Sequence, residues 1–243
     1  MILEPHRLVH GQVIQTGAAL TLLPIGATFG YYALPTPLQA QLLIQFTPQL
    51  LAYLAMVIWA SRTADLSTRL GLERAKIITG VKWGLLIGLT LGCLNTFVIL
   101  LIYPALGCDI TFLKQTPHGR LPVVLMVPWF ICCIAFFVEV NFRGYILGRL
   151  AELEWYWRKL GSGRQAAPFA LLATTLTFTF DPFMVNTFRQ LHWIALWDGL
   201  VWGMIWLRTR NLWITIVAHA VEVIIMYSAV RVAIGDNGAL VEP

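Results

Sequence analysis

Apolar residues fall into seven runs separated by short polar stretches: 13–34, 38–60, 77–106, 121–150, 166–180, 191–207 and 212–234. A helix needs about 20 apolar residues to cross a bilayer. Most of these runs reach that length, so the pattern predicts an all-α, polytopic transmembrane helical bundle of about seven spans. Pro35 and Pro37 close the first run and Asp181-Pro182 closes the fifth; Pro128 predicts a kink in the fourth. The third run exceeds a simple span and predicts a tilt, or a break near Pro104. The polar segment 61–76 is expected to be partly helical. The segment 151–165 reads as amphipathic, with Trp155, Trp157, Arg158 and Lys159 suited to a membrane interface. No internal repeat or low-complexity tract interrupts this plan.

Composition agrees with the pattern. Of 243 residues, 58% are hydrophobic and 12% charged, with mean hydropathy +0.72. A soluble domain carries nearer a quarter charged residues, so no large soluble domain is expected. The net charge of +5 reports loop orientation rather than nucleic acid, for which there is no motif. Cys93, Cys108, Cys132 and Cys133 lack metal-ligand spacing and are expected as free thiols. No metal and no cofactor are expected. The first apolar run reads as a retained helix rather than a cleaved leader.

Arginine and lysine concentrate at the N-terminus and in the loops after the second, fourth and sixth runs, from Arg7 through Arg62 and Arg149 to Arg210. The other side holds Lys114, Arg120, Arg189 and Arg231. This bias predicts an integral protein of a bacterial inner (cytoplasmic) membrane, with a cytoplasmic N-terminus and, given seven spans, a C-terminus across the membrane.

Ionisable residues inside such runs are costly, roughly 2.5–3.5 kcal/mol each at the bilayer centre on insertion scales. At about 1.5 Å per residue from the basic end of each helix, Glu139, Asp198 and His219 lie roughly 14–15 Å deep, Glu222 about 18 Å and Arg143 about 9 Å. Charges disfavour lipid, so Glu139, Asp198 and His219 are expected to face a common interior. Glu139 and Arg143 stand four apart and are expected to pair within the fourth helix. Asp181 is expected either at the far interface or at a helix break. Gly199 and Gly203 suggest a close helix contact, and Trp193, Trp197, Trp202 and Trp206 packing or interface anchors.

The stretch Glu139-Val-Asn-Phe-Arg143-Gly-Tyr-Ile-Leu resembles the first motif of the CAAX-protease and bacteriocin-processing (CPBP) family of intramembrane endopeptidases. The run from Gly203 through Leu207-Arg208-Thr209 and Trp213 to His219-Ala220 is similar to the approach to that family's last motif. The resemblance covers about half the chain. It implies a CPBP-like four-helix transmembrane core over 121–243, behind three N-terminal transmembrane helices and loops over 1–120. It further implies peptide-bond hydrolysis by a glutamate-activated water, assisted by histidines and an asparagine.

Position by position the match is incomplete. The family's base glutamate falls on Val138 and its last-motif asparagine on Val223; Asp181 stands nearest the second-motif histidine. Valine cannot bind or deprotonate water, and a missing general base costs about 10²–10⁴-fold in rate. The leading expectation is a catalytically degenerate scaffold or subunit, holding another membrane protein or a transmembrane peptide within the lipid bilayer. The alternative is an active endopeptidase with a rearranged site using Glu139 and His219, aided by Asp181, Asp198 or Glu222. A lower alternative is a transporter or a haem- or pigment-binding subunit.

Overall fold

The computed structural model describes residues 5–158 and 166–236, and side chains within 17–116, 119–128, 131–158 and 166–233. Among the described residues all regular structure is helical. With lipid as solvent every backbone N–H and C=O must be satisfied within its own segment, and a helix does this from local sequence alone. Each apolar run contains a helix. We label them α1 (Pro5–Tyr31), α2 (Leu42–Ala60), α3 (Ile77–Phe97, prolonged through Val98–Ile102 to Ala105), α4 (Val123–Trp157), α5 (Pro168–Thr179), α6 (Ile194–Thr209) and α7 (Leu212–Asp236).

Length sorts them. Among the described residues α2, the run Leu66–Ala105, α4 and Leu212–Ala233 are each long and apolar enough to cross a membrane. The chain is therefore an integral membrane protein. The fifth and sixth runs meet the same test only together: Pro168–Thr179 and Pro182–Thr209 meet at a 49° bend, as a broken span or a re-entrant loop. The break lies where Pro182 cannot continue α5, and Asp181 opens the short helix Pro182–Phe188. Pro128 sits in a stretch of wider, π-type turns, Met126–Cys133, and a second such stretch covers Val140–Leu147. Wider turns are one way a helix absorbs a residue that the regular hydrogen-bond ladder rejects.

Contacts group the chain into two units: Met1–Glu73 with Val140–Arg210, and Arg74–Glu139 with Asn211–Pro243. In the first, α1 packs on α2, and α5 on α6. The expected close contact at Gly199 and Gly203 is present. A β-carbon at Gly199 would stand 2.9 Å from Thr175 Cγ2, and one at Gly203 would collide with Leu171. Trp202 and Trp206 are buried here and serve packing. Trp155, read from sequence as an interface residue, is also buried, whereas Trp157 is 68% exposed. Lys159 and Arg164 lie outside the described residues.

In the second unit α3 and α7 pack closely along a glycine edge. Gly80, Gly84, Gly88 and Gly92 recur every fourth residue and are all buried. Their absent β-carbons would meet Trp213, Val217, the Ala218 carbonyl and Ile225 in turn. Without a hydrophobic driving force between helices in lipid, this backbone approach gives dispersion its range. The 123–139 half of α4 also packs on α7. There Met126, Ile131 and Tyr227 form an apolar cluster joined by Val223 and Ile224.

Candidate functional site

The second unit holds the polar centre. α4 ends its share of this unit at Glu139, which has no solvent exposure. α7 carries His219 and Glu222 three residues apart, so both point to one side. His219 Nδ1 lies 3.0 Å from Glu139 Oε1. The sequence-derived Glu139 and His219 thus come together from different helices. A buried carboxylate bonded to Nδ1 fixes the tautomer and plane of the ring and directs Nε2 away from the acid.

Glu222 has a partner that sequence reasoning missed. Asn95, on α3, donates from Nδ2 to Glu222 Oε1 at 2.6 Å, and both side chains are fully buried. The glycine edge makes this possible. Gly92 lies one turn before Asn95, and its missing β-carbon would sit 3.2 Å from Glu222 Cα. A lone amide inside the apolar run 77–106 was the available signal, because polar side chains at that depth require a partner.

Of the two motif positions that depart from the family pattern, Val223 has apolar surroundings too. Val223 packs with the Met126, Ile131 and Tyr227 cluster. Val138 is half-buried, one residue before the paired acid. Among the described residues no group of three histidine, cysteine, aspartate or glutamate side chains is placed to hold a metal ion.

The remaining candidates belong to the first unit. Arg143 is 1% exposed, its Cζ 4.5 Å from the Phe178 ring centroid and 5.0 Å from that of Trp202. Two aromatic faces stabilise a desolvated guanidinium through their quadrupoles. Asp181 lies at the helix break, the second of the two places open to it, and acts as an N-cap. Its Oδ1 accepts from the backbone N–H of Phe183 at 3.0 Å and of Met184 at 3.4 Å. Gln49 Nε2 on α2 donates to the same oxygen at 2.9 Å. Gln49 was a second unforeseen residue. It is one of four glutamines in the run 38–60, and nothing in the sequence says which of them meets a position 132 residues away. Asp181 and Gln49 line a narrow crevice with Thr28, Phe142 and Thr177. Asp198 is buried on α6. His192 donates from Nδ1 to the Arg189 carbonyl at 2.5 Å and faces the Phe180 ring.

Two carboxylates of the second unit are therefore held by side-chain nitrogens of neighbouring helices, and one of the first unit caps a helix. The arrangement suits a rigid, polar-lined interior. Residues 120–225 match the family model described as Rce1-like, type II CAAX prenyl endopeptidase Rce1-like. No curated protein and no solved structure matches the chain.

Proposed function

We infer, from the match of residues 120–225 to the Rce1-like family model, that this integral membrane protein retains a peptidase-type helical frame to hold a membrane-embedded partner without hydrolysing it. The supporting observation is that three of the remaining acids each have a carboxylate oxygen held by a protein donor. Glu139 is bonded to His219, Glu222 to Asn95, and Asp181 to Gln49 and two backbone N–H groups. A general base must reach the proton it removes, directly or through one water. Val138 stands at the family's base position and offers no such group. The partner is another membrane protein or a transmembrane peptide. The setting is a bacterial inner membrane with the N-terminus cytoplasmic.

One observation favours a second reading. The bond from Glu139 to Nδ1 is the arrangement that lets an imidazole accept a proton from water at Nε2 while the carboxylate stabilises the imidazolium. His219 would then replace the missing glutamate as base.

A single experiment separates the two. The purified chain is reconstituted in liposomes with a prenylated peptide ending in a CAAX sequence, and release of the C-terminal tripeptide is followed. The scaffold reading expects no release above that of Glu139→Gln and His219→Ala proteins, with photo-crosslinking of the peptide retained. Tripeptide release that disappears in both variants would establish the second reading in its place.

A further inference from the structure

The first unit gathers arginines at the basic end of its helices, apart from the polar centre described above. Arg149 and Glu152, three apart on α4, form a two-pronged pair at 2.5 and 2.7 Å. Arg149 is only 4% exposed, and its Cζ lies 4.6 Å from the Trp59 ring centroid on α2. Arg210 ends α6 in the left-handed region, with φ of 50°. Its guanidinium lies 4.6 Å from Trp155 and 4.2 Å from Trp206. Trp206 Nε1 in turn donates to the Leu70 carbonyl at 3.3 Å, tying this end to the turn that carries Arg69.

These groups feel one another. Arg69 and Glu152 act on Arg149, and Glu152 and Arg149 act on Arg210. Burial, with Glu152 opposing and Arg149 adding to it, brings the Arg210 guanidinium down to about 10. The guanidiniums of Arg149 and Arg210 thus share the carboxylate of Glu152, with Arg69 close enough to act on Arg149. Across residues 61–73, 149–158 and 208–210 this end carries six arginines against four carboxylates. Two buried donors point the same way: among the described residues Arg149 Nε and Trp155 Nε1 have no hydrogen-bond acceptor. Buried donors without acceptors cost free energy unless something supplies a lone pair. Tyr156 and Trp157, next along α4, are 46% and 68% exposed, as aromatic residues at a headgroup layer are.

We propose that this cluster of Arg69, Arg149 and Arg210, framed by Trp59, Trp155 and Trp206, binds the phosphate of an anionic phospholipid headgroup. Charge complementarity selects an anion, since a net positive, tryptophan-framed cluster with spare N–H donors suits a phosphodiester oxygen. The exposed aromatics beside it place that phosphate at the lipid surface rather than in bulk water. Fixed planar forks set into tryptophan faces are less costly to order around a phosphate than mobile lysines.

The test uses the full chain in a neutral detergent. Thermal unfolding is followed on addition of phosphatidylglycerol, phosphatidylcholine or inorganic phosphate, and retained lipid is counted by native mass spectrometry. Phosphatidylglycerol is expected to raise the midpoint and to remain bound, while phosphatidylcholine does neither. Arg69→Gln, at an exposed position, should weaken phosphatidylglycerol retention about five-fold, which is roughly 1 kcal/mol per basic residue. Lys114→Gln, at an exposed position of the second unit outside the cluster, should leave it unchanged. Equal stabilisation by phosphatidylcholine, equal retention in Arg69→Gln, or full replacement by inorganic phosphate would each overturn the assignment.

Discussion

Replacing Gly88 by alanine adds one methyl at the seam between α3 and α7. Its β-carbon would stand 2.7 Å from the Ala218 carbonyl oxygen, 2.8 Å from Val221 Cβ and 3.0 Å from Ala218 Cα. Two of these are backbone atoms and cannot turn aside. Optimal carbon contacts lie at about 3.5–4.0 Å, so the helices must part by nearly 1 Å, which forfeits a quarter to a half of each dispersion well along the seam. Overpacking of this kind costs about 1–3 kcal/mol. Alanine's better helix propensity returns up to about 1 kcal/mol. The net expectation is a loss of roughly 1–2 kcal/mol, read as a lower midpoint in detergent or a lower urea tolerance. Gly26→Ala on α1 is the control, because nothing lies within 4 Å of a β-carbon there. It keeps the propensity gain without the clash and should be neutral or slightly stabilising. A Gly88→Ala protein as stable as Gly26→Ala would refute the argument that glycine is present at this seam for closeness of approach.

Asn95→Leu should cost about 1–3 kcal/mol, because it leaves the buried Glu222 carboxylate without its amide donor; thermal unfolding of Asn95→Leu with and without Glu222→Leu should show the second change recovering part of the loss. Asp181→Ala should cost about 0.5–2 kcal/mol through loss of the N-cap, and Asp181→Asn much less, because the amide oxygen still accepts from Phe183 and Met184; parallel unfolding curves distinguish them. Reporter fusions should place the N-terminus in the cytoplasm, following the excess of arginine and lysine in the loops on that side. A fusion active only across the membrane would reverse that orientation.

The chain by itself determined that it lies in a bilayer, that it is helical, and which family its second half resembles. These follow from local properties: the length of an apolar run, a proline after Asp181, and Glu139, Arg143 and His219 at characteristic positions. Gly199 and Gly203 declared a close contact without naming Thr175 and Leu171 as its other face. The tertiary structure alone decided who meets whom. His219 finds Glu139 across 80 residues, Asn95 finds Glu222 across 127, and Gln49 finds Asp181 across 132. Each buried polar group announces in sequence that it needs a partner, because lipid supplies none. Which partner it receives depends on how closely and in what register two helices pack, and a glycine edge such as 80–92 sets that only when α7 is laid against it.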